Sequence, residues 1–355
     1  MAEIRTLKDG DVQVLPRTVS DAVSMKNGNS VEVEVNGRVN KQFDNLENPQ
    51  LALSNLGAAP RRNLLRNAFF IGGGSQKNFG VFPINQKGQT EYTYPTKNIT
   101  IDGWSLWGAA SIVQLTADGL IVGKKSTGSN TYVVFEQIVD EYIEEGSQLT
   151  ASVLLDNNEL YTVTASPGWT YSGDATLGVT YYRNEGIQIR ATADKHIAVR
   201  LYWGSAIELG KTSLHKAVSL EYGDKQTIAY KDANEQWQLI QTPDFGTELA
   251  KCQRRLYIPA LSTLTTFYPV VVNPTSGDIF FPVTIPVPMR VVPSFTAIQL
   301  TLYVGSEQKA VAASSVTCYA LRGNQALCRA NGVATGISSK TGMIEIGGLQ
   351  LIAEL

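Results

Sequence analysis

Proline is concentrated in one stretch near the carboxyl end of the chain, and no other sequence feature constrains the fold as strongly. Seven of the 14 prolines lie between Pro259 and Pro293. Proline has no backbone N–H and a fixed φ, so it interrupts helices and is confined to the edges and bulges of β-sheets. The stretch therefore excludes a helix, and we expect any β pairing within it at sheet edges or bulges.

Short apolar runs separated by Gly, Asn, Asp and Ser occupy most of the remaining chain, and this pattern predicts strands. In the central region the predicted strands are 131–139, 148–154, 161–165, 186–191 and 196–203. In the last region they are 294–303, 315–321, 326–330, 343–346 and 349–353. Several short strands at regular spacing are typical of a β-sandwich or jelly roll, so the sequence predicts an all-β fold.

The first segment differs, because its patterns mix helix and strand. A short helix is predicted at 18–25, and the period-two alternation of Ser30–Val35 predicts a strand. Asn48–Gly57 has an N-cap residue, Pro49 at the first helical position and a closing glycine. A helix this short is marginal alone, so we expect partner chains to supply the missing contacts.

Charge is unevenly distributed. Residues 1–66 hold 17 charged side chains, residues 67–255 hold 36, and the last hundred residues hold only 9. So few charges indicate a surface that is covered in an oligomer or a neutral polar face. The formal net charge of −2 provides no basic field for a phosphate backbone, so we expect no nucleic-acid partner.

Targeting and redox signals are weak. The start of the chain has no secretory apolar core and no run of about 18 apolar residues occurs, so we expect synthesis in the cytoplasm and no membrane insertion. Cys252, Cys318 and Cys328 are expected to be reduced and structural. Cys318 and Cys328 either face each other across a hairpin or, with a one-residue change of register, lie on opposite faces.

Catalytic patterns are not evident. His196 and His215 are the two histidines, which argues against a Ser-His triad or a histidine metal site. We interpret His196 as a packed strand residue and His215 as a surface loop residue. Acidic pairs could serve glycan hydrolysis, but we interpret them as solvated turns, and sequence does not set their separation. Asp156–Glu159 offers oxygen ligands for calcium, although a plain turn is favoured. We predict no catalytic residue, no metal and no cofactor.

Aromatic side chains give the better binding signal, because the apolar faces of sugar rings stack on Trp and Tyr. Trp104, Trp203 and Tyr202 lie in apolar strands and are predicted to be core. The turn-rich stretch 166–174 places Trp169 in a loop, where the indole is either exposed or folded back over the core. The candidate binding residues are Trp169, Tyr171, Asp174, Asn157 and Asn158. A second candidate surface around a hairpin comprises Tyr319, Arg322, Asn324, Arg329 and Asn331.

Several motifs in order carry a resemblance to a known family. They are Leu46–Gly57 (L-x-N-P-x-x-x-x-x-N-L-G), Asn63–Phe70, Pro83–Gly88, Ile101–Trp104, Thr247–Tyr257 (E-L-x-x-C-Q-R) and Phe281–Arg290. Together they resemble tail-fibre and receptor-binding proteins of bacterial viruses that contain a carbohydrate-binding-like jelly roll. Lys87 and Gly103 stand where the family has arginines. The resemblance covers most of residues 45–355, and residues 1–44 match less clearly.

The resemblance implies an elongated homotrimer at the distal end of a virion tail that adsorbs to bacterial cell-surface polysaccharide. It further implies an N-terminal mixed α/β attachment and shaft segment (1–63), which contacts other tail or baseplate proteins. A jelly-roll β-sandwich (64–250) and a smaller C-terminal β-sandwich for trimerisation (251–355) follow. Non-enzymatic binding is expected; the alternatives are a glycan depolymerase and a purely structural connector. The family has no fixed binding signature, so the motif residues are interpreted as fold determinants.

Overall fold

The computed structural model describes most of the chain after residue 60. The described residues are 7–9, 12–14, 23–24, 61–72, 81–94, 96–108, 111–124, 132–183, 185–203, 213–240, 242–259, 266–337 and 341–353. The predicted strand Ser30–Val35 and helix Asn48–Gly57 lie outside them. Two compact units are present: residues 1–60 with 229–240, and residues 61–228 with 241–355. The predicted segment boundaries stay predictions.

In the first unit, three short strands form an antiparallel sheet in the order β1-β2-β3. They are β1 (Leu7–Asp9), β2 (Val12–Val14) and β3 (Val23–Ser24). The helix predicted at 18–25 is therefore wrong at Val23–Ser24, which pair with Val14 and Gln13 of β2. The β-branched side chain of Val23 suits a strand, and sheet pairing overrides a weak local helix signal.

Two six-stranded antiparallel sheets form the larger part of the second unit. Their strands are β4 (Glu91–Tyr92), β5 (Asn98–Ile99), β6 (Ser105–Trp107), β7 (Ser111–Leu115), β8 (Leu120–Lys124), β9 (Val133–Ile138), β10 (Leu149–Leu155), β11 (Leu160–Thr164), β12 (Ala175–Tyr182), β13 (Glu185–Ala191), β14 (Ile197–Trp203) and β15 (Leu214–Tyr222). The first sheet has the order β11-β10-β15-β8-β7-β4, and the second has the order β12-β13-β14-β9-β6-β5. Both sheets contribute to one buried apolar cluster, so the all-β prediction is confirmed.

Aromatic rings fill the centre of this core. Trp104 and Trp203 are fully buried, as predicted. The ring of Trp104 stacks on Phe135 with centroids 4.7 Å apart, and Phe70 meets Trp104 edge-on at 5.7 Å. Tyr202 was predicted to be core, but it is half-buried on the outer face. Leu201 and Trp203 point inward, and alternation along the strand therefore turns Tyr202 outward.

His215 also differs from its prediction as a surface loop residue, because it lies in β15 and is fully buried. The flanking lysines, such as Lys216, suggested a solvated loop. The register of β15 against β10 shifts at Leu154/Leu155, and beyond this bulge His215 pairs with the core residue Leu155. The bulge therefore turns His215 towards the core and leaves Lys216 half-buried.

Several motif residues form a buried hydrogen-bond network. The Asn67 side chain donates to the carbonyl oxygens of Ile84 (2.8 Å) and Asp102 (2.9 Å) and accepts from the Ile84 N–H. The Gln86 amide donates to the Leu256 carbonyl oxygen and accepts from the Ile258 N–H at 3.1 Å. The Gln86 bonds join the sandwich to Leu256 and Ile258, which follow the helix described in the next paragraph. All of these bonds satisfy buried polar groups, which would be costly to leave without partners.

A hairpin and a helix follow the sandwich along the chain. The hairpin pairs β16 (Ala229–Lys231) with β17 (Trp237–Leu239) and belongs to the first unit. Helix α1 (Phe245–Gln253) belongs to the second unit and begins at the N-cap Asp244, whose side chain accepts from the Thr247 N–H at 2.8 Å. Its Glu248 accepts from the buried Asn67 N–H at 2.9 Å. No other helix of this type, and none long and apolar enough to cross a bilayer, occurs in the described part of the chain.

The C-terminal region forms a seven-stranded and a three-stranded sheet around its own core. Its strands are β18 (Leu256–Tyr257), β19 (Thr266–Val272), β20 (Ile279–Thr284), β21 (Ser294–Thr296), β22 (Gln299–Val304), β23 (Glu307–Ala310), β24 (Val316–Arg322), β25 (Gln325–Ala330), β26 (Thr341–Gly347) and β27 (Gln350–Ile352). The seven-stranded order is β23-β22-β26-β19-β20-β25-β24, and the three-stranded order is β18-β27-β21. A 3-10 turn spans Ala313–Ser315.

Two prolines lie in central strands, where we expected none. Pro269 is in β19 and Pro282 is in β20, and these strands are neighbours in the middle of the seven-stranded sheet. The two strands pair Val271 with Phe280 and Val272 with Ile279. Continuing this register places Pro269 opposite Pro282, just beyond the last paired residues. On the other side of each strand, Pro269 pairs with β26 and Pro282 pairs with β25. The expectation is wrong because proline has no N–H to donate, and at this level β19 and β20 are no longer paired, so neither strand needs that donor.

The cysteines of the hairpin β24–β25 face each other. Cys318 and Cys328 are partners in register, and their Sγ atoms lie 3.1 Å apart as free thiols. Of the two predicted alternatives, the structure therefore has the one in which the cysteines face each other across the hairpin.

Candidate functional site

Aromatic side chains form a row across the outer face of the second sandwich sheet. The register pairs Trp107 with Val134, Val134 with Tyr202, Tyr202 with Gly186, and Gly186 with Tyr181. Directly paired residues project from the same face of a sheet. Aromatic rings therefore stand on every second strand, and neighbouring rings start roughly 10 Å apart because strands are spaced by about 4.8 Å. We call Trp107, Tyr202 and Tyr181 the aromatic row.

The small residues between the rings let the row form. A Cβ atom on Gly186 would come within 3.0 Å of the Tyr181 ring, so the glycine allows that ring to lie over β13. Tyr181 is 65% exposed, whereas Trp107 and Tyr202 are half-buried. Tyr132, which is also exposed, stacks on Tyr202 with centroids 6.1 Å apart and widens the row. The result is an apolar platform open to solvent.

Charged side chains hold the Trp107 end of the row in place. Glu136 Oε2 accepts from both Arg200 Nε at 2.9 Å and Arg200 Nη2 at 2.7 Å, and these two bonds to one oxygen orient the guanidinium. Arg200 and Lys97 also lie over the Trp107 ring, at 5.3 and 5.0 Å from its centroid. These cation–π contacts stabilise the indole in one orientation.

A cavity of about 300 Å³ opens beside Trp107. Arg190 and Asp174 contribute to its wall, together with Lys97, Glu136 and Arg200. Arg190 Nη1 donates to Thr176 Oγ1 at 2.7 Å, and burial together with the neighbouring Arg200 lowers its pKa. Carboxylate, guanidinium and ammonium groups thus surround one aromatic ring. This combination suits a ligand with both C–H faces and hydroxyl groups, which is the chemistry of a saccharide.

Trp169 and Tyr171 do not belong to this face. The Trp169 indole is 5% exposed, lies in the sandwich core and donates through Nε1 to the Ser147 carbonyl oxygen at 2.9 Å. Tyr171 packs edge-on against it at 5.1 Å and donates to the Ile143 carbonyl oxygen, and burial raises the pKa of Tyr171 to about 12. The structure therefore favours the alternative in which this loop tryptophan folds back over the core.

The other candidates from the same stretch are scattered. Asp174 lines the cavity beside Trp107, and its carboxylate accepts from the Ala193 N–H at 3.0 Å. Asn157 and Asn158 lie in the turn that joins β10 to β11, where Asn158 has φ of 61°. Asparagine tolerates this left-handed conformation better than most residues. Among the described residues, no group of three or more His, Cys, Asp or Glu side chains is arranged to hold a metal.

The second candidate surface is divided between two ends of the β24–β25 hairpin. Tyr319 (51% exposed) and Arg329 both contact the Phe280 ring, edge-on at 6.3 Å and by a cation–π contact at 5.8 Å. Arg322 and Asn324 lie at the turn, whereas Asn331 follows the far end of β25. The structure thus brings Tyr319 and Arg329 together and leaves the other three apart.

The sequence reasoning missed Trp107 and Tyr181 and assigned Tyr202 to the core. The signal was the period-two alternation itself. In Ser105-Leu106-Trp107 the leucine is buried, so its neighbour Trp107 faces outward. Applying the same rule to each predicted strand separates outward aromatics from core aromatics, although only the register shows that they form one row.

Comparison with known proteins adds nothing to this assignment, since no family model, curated protein or solved structure matches the chain.

Proposed function

We propose that the protein is a receptor-binding component of a bacterial-virus tail that adsorbs to cell-surface glycans without cleaving them. The aromatic row carries this proposal. Three rings on alternate strands match the way in which a saccharide chain lies across a sheet, with its C–H faces on the rings and its hydroxyls at Arg200, Glu136 and Arg190. The two facing six-stranded sheets are compatible with the jelly-roll architecture that the motif resemblance implies.

Assembly as a homotrimer forms part of the proposal, and the outer face of the seven-stranded sheet supports it. Phe267 is 52% exposed, Val271 is 59% exposed and Met343 is 39% exposed, all on the adjacent strands β19 and β26. Exposed apolar groups gathered on one sheet face are typical of an interface. The last hundred residues carry only 9 charged side chains, which suits a face that is covered by other copies.

Trimerisation would also strengthen a weak site. Each row offers a shallow, open platform, and three linked copies raise the overall affinity through effective concentration. In this proposal the N-terminal segment joins the trimer to the tail, and the glycan-binding sandwich lies at the distal end.

The experiment uses the full chain on an array of bacterial surface polysaccharides, followed by affinity electrophoresis in the polysaccharide that binds. Trp107→Ala should weaken retention about tenfold, because an aromatic contact contributes roughly 1–2 kcal/mol. Tyr222→Ala is the matched control, since Tyr222 is 44% exposed on β15 of the opposite sheet. Unchanged retention of Trp107→Ala contradicts the site. Steady release of reducing ends would instead support a depolymerase.

A further inference from the structure

Positive charge is concentrated in a second cavity of the same unit, away from the aromatic row. This cavity has a volume of about 370 Å³ and lies between the start of the sandwich, the segment after β9 and the end of α1. Its basic lining residues are Arg62, Arg66, Lys251, Arg254 and Arg290. Asp140 and Glu141 are its acidic lining residues. In a chain with a formal net charge of −2, five cations against two anions is a strong local excess.

Two of these cations are paired, since Arg62 Nη1 lies 3.2 Å from Glu141 Oε2 and Lys251 pairs with Glu248 of α1. The arginines around Asp140 are not neutralised in this way. One oxygen of Asp140 (Oδ1) is approached by Arg66 Nη1 at 2.7 Å, by Arg290 Nη1 at 3.6 Å and by Arg255 Nη2. Three guanidinium groups therefore share a single carboxylate oxygen. A buried charge is costly unless it is paired, so this arrangement leaves room for further negative charge.

The buried arginines also have unused donors. The Nε atoms of Arg66 and Arg255 have no hydrogen-bond partner among the described residues, although both side chains are only 6% exposed. Both residues line a smaller cavity of about 220 Å³. Gly103 also lines this cavity, and its lack of a side chain leaves space for Arg66, because a Cβ atom there would come within 2.6 Å of Arg66 Nε. Burial and the adjacent Arg66 lower the pKa of Arg255 to about 10, which reflects the crowding of positive charge.

The smaller cavity connects the arginine cluster to the aromatic row. It shares Arg66 with the large cavity, and it shares Lys97, Glu136 and Ile138 with the cavity beside Trp107. A ligand that covers the row can therefore place a charged substituent near the arginines.

We propose that the cavity around Arg66, Arg254 and Arg290 binds an oxyanion, and, given the proposed function, that the receptor glycan carries phosphate or carboxylate groups. The planar donor fork of arginine matches both groups, and several forks around one point bind them better than lysine does. Arg290 and Arg254 are less buried than Arg66, so an anion reaches them from solvent.

Isothermal titration of the full chain with inorganic phosphate and with glucuronate tests this in low-chloride buffer. Wild-type protein should bind at least one of them. Arg290→Gln and Arg254→Gln should each weaken that binding about fivefold or more. Lys309→Gln, at an exposed lysine of the edge strand β23, is the control and should bind as wild type does.

The outcomes separate this inference from the proposed function. Phosphate binding alone identifies a phosphorylated ligand, and glucuronate binding alone identifies a uronate. Trp107→Ala should retain anion binding while its polysaccharide binding weakens about tenfold. Absence of binding to either probe, or binding that survives both Arg290→Gln and Arg254→Gln, overturns the oxyanion site even if the polysaccharide still binds.

Discussion

The Glu185 carboxylate and the His215 imidazole face each other inside the sandwich, with Oε2 and Nε2 3.3 Å apart and both side chains at most 2% exposed. His215 Nδ1 lies 3.2 Å from the Leu120 carbonyl oxygen, so each ring nitrogen meets an acceptor. Although burial opposes ionisation of Glu185, its contacts with His215 and Ser213 hold the pKa of the carboxyl below its usual value.

Replacement of His215 should therefore destabilise the fold. In His215→Gln the Glu185 carboxylate keeps the Ser213 N–H at 2.7 Å but loses the imidazole that lies 3.3 Å from it. Breaking a buried pair in this way costs about 3–5 kcal/mol. Urea denaturation followed by tryptophan fluorescence measures the loss. The double variant Glu185→Gln/His215→Gln should cost less than the sum of the single changes. A loss below about 1 kcal/mol for His215→Gln would argue against the pair.

Asp102 should make stability depend on pH. Burial raises the pKa of this carboxyl to about 7, against the lowering effect of its hydrogen bonds from Gln86. The folded state therefore holds the proton more tightly than the unfolded state. The resulting contribution is complete below pH 3.8 and is lost as the pH rises from there to about 7.

That loss should be on the order of 4 kcal/mol, since each unit of pKa difference corresponds to about 1.4 kcal/mol. Unfolding free energies measured at intervals from pH 4 to pH 8 provide the test. Asp102→Asn removes the titrating group, so the variant should lose this part of the slope. An identical slope in wild type and Asp102→Asn would show that Asp102 titrates normally.

The sequence predicts the core of this molecule better than it predicts the aromatic row. Each predicted apolar run overlaps an observed strand, because burial in a sandwich demands such runs, although the structure contains many further strands that were not predicted. Trp104 and Trp203 were assigned correctly, since both lie in such runs and point inward. Tyr202 was not, because it was assigned by its neighbours rather than by its position in the alternation. His215 was not, because its inward position depends on the bulge opposite it in β10.

The aromatic row depends on long-range register, which no local pattern contains. Tyr181 and Tyr202 come from the consecutive strands β12–β13–β14, whereas Trp107 comes from β6, much earlier in the chain, and joins the row through β9. The proline positions also depend on strand register. Pro269 and Pro282 are tolerated in central strands only because the register sets them together where pairing has ended. Trp169 lies in a loop but is buried, so a loop position does not guarantee exposure.

The outer face of the seven-stranded sheet should be required for trimer formation. Phe267→Lys places a charge among exposed apolar groups, and burying it between copies would be costly. Light scattering of wild type should give three times the chain mass of 38.6 kDa, and the variant should dissociate towards the monomer. Ile71→Lys is the control, because Ile71 is 42% exposed on the sandwich. A monomeric wild type would remove the trimer from the proposal.

The affinity of Tyr202→Ala for oligosaccharides of increasing length tests the central claim most directly, because Tyr202 lies in the middle of the aromatic row. For wild type we predict that Kd falls with each added sugar until the chain spans the row. For Tyr202→Ala we predict a Kd about tenfold higher and a weaker dependence on length, in keeping with roughly 1.4 kcal/mol for one aromatic contact. Equal Kd values for Tyr202→Ala and wild type at every length would contradict glycan binding on this face.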